Sequence, residues 1–212
     1  MLEALRTSYL GAAYYRILQT HLLIPIQKWG LTPNQLTLLG VVAAAFVPLG
    51  FMVHPIVGLL MLTISGVADS LDGLMARHQH QASQFGAFLD SSLDRLSDFF
   101  YLLGFWSLLW PSPRRLTATL LVFVALLSTL MISYVKARAE SLGILCPSGM
   151  MSRAVRVIYL IGWALLVCLL PSSATSLLWI GLAIYIGLTI ATLIRRIVSV
   201  KQQLLDSRMP SQ

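Results

Sequence analysis

Six apolar stretches, near residues 35–53, 56–76, 86–110, 115–138, 154–171 and 174–198, constrain the fold more than any other feature of the chain. A helix rises about 1.5 Å per residue and a bilayer core takes about 20 residues to cross, so each stretch is long enough to span. Four of the five breaks between them are His54-Pro55, Pro111-Ser112-Pro113, Cys146-Pro147-Ser148-Gly149 and Pro171-Ser172-Ser173, turn sequences that do not continue a helix. With 57% hydrophobic and 11% charged residues, the chain lacks the polar surface that would cover a soluble domain. The expected fold is all-α, a polytopic membrane protein of six transmembrane helices.

Residues 1–30 form a juxtamembrane segment. Within it, residues 9–28 mix Tyr14, Tyr15, Leu18, Leu22 and Ile24 with Arg16, His21 and Lys28, which predicts an amphipathic helix lying at the membrane interface, ended or kinked by Pro25. No short apolar core with a small-residue cleavage site marks a removable signal peptide. Cys146 and Cys168 are too few for a disulfide framework and are given no chemistry. The net charge of +7 comes from basic residues that flank the apolar stretches, so anionic lipid headgroups explain it and nucleic acid does not. With the N-terminus inside, Arg6, Arg16, Lys28, Arg77, Lys136, Arg138, Arg153, Arg156, Arg195, Arg196, Lys201 and Arg208 are cytoplasmic and only Arg114 and Arg115 are outside. Twelve against two predicts a multi-pass cell-membrane protein with both termini cytoplasmic. No repeat or linker divides the chain, and a single membrane domain, 1–212, is expected.

Of the eight acidic residues, Asp69, Asp72, Asp90 and Asp94 fall inside apolar stretches, as does Asp98. Charge within a membrane segment is costly and normally faces a cavity, a partner or an ion. Asp69 and Asp72 are spaced i, i+3 and Asp90 and Asp94 i, i+4, so each pair occupies one face of its helix. Two such faces turned together make an oxygen-only cage suited to a hard divalent cation such as Mg²⁺ or Mn²⁺. All four lie near the cytoplasmic ends of their spans.

The run from Asp69 to Asp94 reads D-x2-D-G-x2-A-R-x8-G-x3-D-x3-D, with Gly73, Ala76, Arg77 and Gly86 filling the fixed positions between the acids. This resembles the signature of the CDP-alcohol phosphotransferase family, and the six-helix pattern extends the likeness over nearly the whole chain. The resemblance implies transfer of a phosphatidyl group from CDP-diacylglycerol to the hydroxyl of a second alcohol, with release of CMP, and a homodimer in the membrane. Phosphoryl transfer needs its phosphate charge neutralised, which one or two divalent ions do. Asp69, Asp72 and Asp90 are read as metal ligands for Mg²⁺ or Mn²⁺, two ions being expected. The resemblance gives Asp94 the general base role, combined with metal contact. Gly73 and Ala76 keep one helix face low enough for a nucleotide to approach, and Arg77 can fork to the diphosphate or the cytosine carbonyl. Gly86 permits close packing as the third span begins, and Ser83 matches a small hydroxyl position that contacts the nucleotide in relatives. Asp98, outside the signature, is read as a polar partner for Arg95 or a group behind the metal ligands, rather than as a ligand. His78 and His80 fall in a polar loop, where solvated side chains are the default. Upstream, Thr32-Pro33-Asn34-Gln35 is a helix-opening sequence in which Thr32 or Asn34 caps and Pro33 suits the first turn. In the family this step borders the nucleotide pocket, which makes all four candidate contacts. The reading from another class is a cation transporter with the acids as its ion site, which has no need of the Gly-Ala-Arg-Gly framework.

The acceptor pocket is expected on the cytoplasmic side beside Asp94. Span four ends in Ser133-Tyr134-Val135-Lys136, span five follows Arg153 and Arg156, and span six ends in Arg195-Arg196. Some of these cations are positive-inside anchors. The Ser-x2-Lys step with the later arginines looks like the prokaryotic phosphatidylinositol-phosphate synthase branch. That likeness implies that Ser133, Lys136, one of Arg153 or Arg156 and one of Arg195 or Arg196 grip the phosphate of inositol phosphate. Cys146 to Ser152 contains no acidic residue before Arg153, a departure that keeps glycerol 3-phosphate as the alternative acceptor.

Overall fold

The computed structural model describes Arg16 and residues 18–28, 30–78, 83–146 and 149–206, with the side chains of residues 27, 28, 77, 78 and 206 left out. A π-helical stretch, Leu18–Leu23, leads into α1 (Ile24–Lys28); α2 (Pro33–Val53), α3 (Pro55–His78), α4 (Gln84–Leu109), α5 (Arg115–Ser141) and α6 (Arg153–Leu169) follow, then a 3₁₀ turn, Pro171–Ser173, and α7 (Ala174–Asp206). No strand occurs among the described residues. Each of the six apolar stretches is one helix, α2 to α7. Four segments, Pro33–Val53, Pro55–Ala76, Arg115–Ser141 and Pro171–Leu205, are long and apolar enough to cross a membrane. The other two fall short for different reasons. Helix α4 carries Asp90, Asp94, Arg95 and Asp98, and α6 has 17 residues. Of the expected N-terminal amphipathic helix, residues 9–15 and 17 lie outside the described residues; residues 18–28 change from the π-helical stretch to α1 after Leu23, with Pro25 in the first turn of α1.

Two compact units divide the chain, Met1–Leu108 and Leu109–Gln212. In the first, α2 and α3 form a hairpin whose sharp turn is set by His54 in extended conformation before Pro55. The hairpin closes tightly because glycine faces glycine: a Cβ at Gly50 would stand 2.9 Å from the backbone N of Gly58. Further along, the Ser65 hydroxyl lies 2.6 Å from the Gly40 carbonyl and 2.7 Å from the Tyr101 hydroxyl, joining α2, α3 and α4 in a buried polar link. Phe51 and Phe105 pack with ring centroids 5.5 Å apart, and Gly104 leaves room for Val47 and Phe51. Leu18 and Leu23 of the N-terminal segment are buried in a cluster with Leu36, Leu71, Leu74 and Met75. These contacts fix the end of α3 that carries the acids.

The second unit is knit by hydroxyls where water is scarce. Ser128 and Thr129 of α5 bond Thr189 and Tyr185 of α7, each at 2.9 Å. Tyr159 and Trp163 of α6 donate to the carbonyls of Gly181 and Leu177 on α7, at 2.7 and 2.9 Å. Gly143, with φ of 74°, lets the backbone turn left-handed after α5, and the N–H groups of Gly143 and Ile144 bond back to the carbonyls of Glu140 and Ala139.

Candidate active site

The last turns of α3 bring Asp69 and Asp72 against Asp90 on the second turn of α4. One oxygen from each of the three carboxylates lies within 4.8 Å of the other two. Oxygens on opposite sides of a divalent ion stand roughly 4–5 Å apart at ligand distances of about 2.0–2.6 Å, so the three surround a space of ionic size. Asp72 is 5% exposed, and its Oδ2 is buried with no hydrogen-bond partner among the described residues. An orphaned buried carboxylate oxygen is expensive unless something positive meets it. The donor set, all oxygen and all anionic, therefore fits Mg²⁺ or Mn²⁺. Thr37 of α2, 8% exposed, lies against the Asp72 carboxylate, a neighbour that no spacing rule in the sequence pointed to.

Asp94 stands outside that three-carboxylate group, one turn further along α4. Its Oδ2 lies 3.8 Å from Arg95 Nη1, and the same Arg95 nitrogen also bonds the Ser91 carbonyl. Asp98, one turn beyond Asp94 on α4, is buried at 2% exposure.

The candidate nucleotide contacts have local duties. Thr32 Oγ1 accepts from Gln35 N at 3.3 Å and Gln35 Oε1 accepts from Thr32 N at 2.9 Å, a reciprocal cap on α2 with Pro33 in its first turn. Ser83 Oγ accepts the Gly86 N–H at 2.9 Å and so caps α4. A Cβ at Gly86 would stand 3.0 Å from that hydroxyl and 3.4 Å from Asn34 Oδ1, so the glycine lets the start of α4 approach the start of α2. Asn34, Ser83 and Gly86 are thereby neighbours. Gly73 and Ala76 lie partly exposed on α3. Arg77 lies in the last turn of that helix, its side chain outside the described residues, as are those of His78 and His80.

The candidate acceptor residues all belong to the second unit. Ser133 is half-buried, and the exposed Lys136 pairs with Glu140 at 3.5 Å along α5. Arg156 and Arg196 are 1% and 5% exposed. Arg156 Nη1 donates to the Met151 carbonyl at 3.2 Å, and Arg196 Nη1 to the Ile132 carbonyl at 2.7 Å. Arg153 is half-buried and Arg195 exposed, with Nη1 of Arg195 3.1 Å from Met150 Sδ. Of the paired candidates, Arg156 and Arg196 are thus the buried ones, a distinction that two arginines in one positive-inside cluster do not reveal in sequence.

The sequence model of the CDP-alcohol phosphatidyltransferase family matches residues 30–191. Among curated proteins, an archaetidylinositol phosphate synthase of Methanothermobacter thermautotrophicus is 40% identical over 136 residues, covering 64% of this chain and 67% of the relative. A phosphatidylinositol phosphate synthase of Streptomyces avermitilis is 33% identical, covering 95% of this chain and 84% of the relative. Among solved structures, the phosphatidylinositol phosphate synthase of Mycobacterium tuberculosis with manganese and citrate aligns with a TM-score of 0.69 at 28% identity, covering 85% of this chain and 88% of that one. The same enzyme with CDP-DAG bound aligns with a TM-score of 0.67 at 27% identity, over 84% of this chain and 90% of that one. An ion-transport reading of the acids is set aside by this agreement between motif, carboxylate geometry and relatives. The chain belongs to the CDP-alcohol phosphatidyltransferase family and is an enzyme of that class.

Proposed function

We propose that this enzyme transfers the phosphatidyl group of CDP-diacylglycerol to a hydroxyl of inositol phosphate, forming phosphatidylinositol phosphate and CMP. The observation that carries the reading is the convergence of Asp69, Asp72 and Asp90 within a motif that leaves Asp94 apart from them. Mg²⁺ or Mn²⁺, two ions in our reading, held by the first three carboxylates with Asp94 at the edge, would neutralise phosphate oxygens of the donor. Asp94 takes the proton of the acceptor hydroxyl; the oxygen attacks the phosphorus next to the diacylglycerol, and the bond to the bridging oxygen breaks to release CMP. Arg77 binds the diphosphate. Thr32, Pro33, Asn34, Gln35, Gly73, Ala76, Ser83 and Gly86 border the cytidine.

The relatives' names share the inositol phosphate headgroup and differ in the lipid, phosphatidyl in one case and archaetidyl in another. Buried guanidinium groups at Arg156 and Arg196 supply a reason for a phosphorylated acceptor. Among the described residues Arg196 bonds only a neutral carbonyl and its Nε has no partner, so an anion would complete it. Ser133 and Lys136 complete the phosphate-binding set, with Arg153 and Arg195 the members of the two pairs that Arg156 and Arg196 displace. The Lys136–Glu140 pair is exposed and weakly held, and can yield to a phosphate. Absence of an acidic residue between Cys146 and Arg153 favours glycerol 3-phosphate as the second reading.

The enzyme acts as one membrane domain and a homodimer, with α2 to α7 crossing the cell membrane, residues 18–28 at its interface, and both termini and the carboxylates on the cytoplasmic side. Labelled CDP-diacylglycerol incubated with purified enzyme, Mg²⁺ or Mn²⁺ and separate acceptors tests the reaction. CMP and labelled lipid are expected with inositol phosphate. Product with glycerol 3-phosphate alone would select the second reading, and no CMP with any acceptor would overturn both.

A further inference from the structure

A short stretch of backbone ties the Arg156 guanidinium to α7, the helix that carries Arg196. Thr192 lies one turn before Arg196 on the same face of α7. Its hydroxyl donates to the Leu188 carbonyl at 2.8 Å, which leaves a lone pair to accept the Met151 N–H at 3.2 Å. The carbonyl of the same Met151 accepts from Arg156 Nη1 at 3.2 Å. Met151 therefore links α7 to the guanidinium of α6 through its own backbone, and its side chain is buried at 2% exposure. Gly149 makes this approach possible. A Cβ there would overlap the Thr192 methyl and stand 3.4 Å from Arg196 Nε.

We propose that Gly149, Met151 and Thr192 are positioning residues: a backbone clamp that holds Arg156 and Arg196 in fixed orientation and so sets the affinity for the acceptor's phosphate. The inference rests on the reading of those arginines as acceptor-phosphate ligands. Long basic side chains lose about 2 kcal/mol of rotamer freedom when fixed. A clamp that fixes them before the substrate arrives moves that cost out of binding. The role is separate from the carboxylate chemistry, because nothing in the clamp belongs to the first unit.

Steady-state kinetics of purified enzyme in detergent, with CDP-diacylglycerol and inositol phosphate varied in turn, tests it. Gly149→Ala should raise the acceptor KM about tenfold or more, the size of one lost bond to a charged group, with kcat and the donor KM near wild type. Thr192→Val, which keeps the shape and removes the hydroxyl, should do the same. Thr192→Ser alone should stay near wild type. The double variant Gly149→Ala with Thr192→Ser should recover, since serine keeps the hydroxyl and lacks the methyl that the new Cβ would strike. An unchanged acceptor KM in both Gly149→Ala and Thr192→Val overturns the clamp, as does a loss in both substrates' KM values together with melting temperature that serine fails to rescue. Arg156→Gln and Arg196→Gln separate this from the parent reading. If they leave the acceptor KM unchanged, the acceptor assignment itself falls; if they raise it while the clamp variants do not, only the clamp falls.

Discussion

Asp72 and Asp94 are the same residue type on adjoining helices, yet their surroundings differ. Asp72 is buried against Thr37 with one oxygen unpartnered, whereas Asp94 sits beside Arg95 and apart from the other three carboxylates. Asp94→Asn should lower turnover by about 10² to 10⁴-fold, the usual worth of a general base, while metal-dependent binding of CDP-diacylglycerol persists in calorimetry. Asp72→Asn should act on the metal instead. Titration of Mn²⁺ should show weakened binding, and activity should be recovered in part by excess ion if the cluster is otherwise intact. At this scale the convergence of Asp69, Asp72 and Asp90 was legible because the motif fixes residue type and spacing together. Thr37 was not: its nearness to Asp72 depends on how α2 lies across α3, and no local pattern encodes that.

Helices are legible for a different reason. Apolar runs mark α2 to α7 to within a few residues, and all the junctions but that between α3 and α4, a polar loop, hold a proline, which both removes a donor and restricts its predecessor. Their pairing is less so. The close contact of Gly50 with Gly58 is invisible until the hairpin is formed, because many glycines in apolar helices have nothing opposite them; Gly162 and Gly187 are two such cases here. Gly50→Ala should push the new methyl against backbone and cost about 1–3 kcal/mol, seen as a lower melting temperature in detergent, whereas Gly187→Ala should leave it unchanged. Ser83 likewise had a local duty that the motif concealed. It caps α4, so Ser83→Ala should cost about 1 kcal/mol of stability besides any effect on nucleotide affinity, and Ser83→Thr should restore the cap.

Across the whole molecule, chemistry is partitioned along the chain: the carboxylates precede Leu108 and the candidate phosphate ligands follow it. The proposed orientation makes a direct prediction. In a chain with Cys146 and Cys168 changed to serine, Ser112→Cys should react with an impermeant thiol reagent added to intact cells, and Ser141→Cys only after permeabilisation. The reverse pattern would invert the topology derived from the lysines and arginines. The Ser65–Tyr101 link and the Phe51–Phe105 contact bear on how such a chain enters the bilayer at all. Helix α4, with its acids, is a poor substrate for independent partition into lipid, while α2 and α3 partition readily and emerge from the ribosome first. On the proposed topology the early hairpin is a template for α4: Asp90 and Asp94 enter the bilayer beside an already inserted pair of helices that carries Asp69 and Asp72 and offers Tyr101 a hydroxyl and Phe105 a ring.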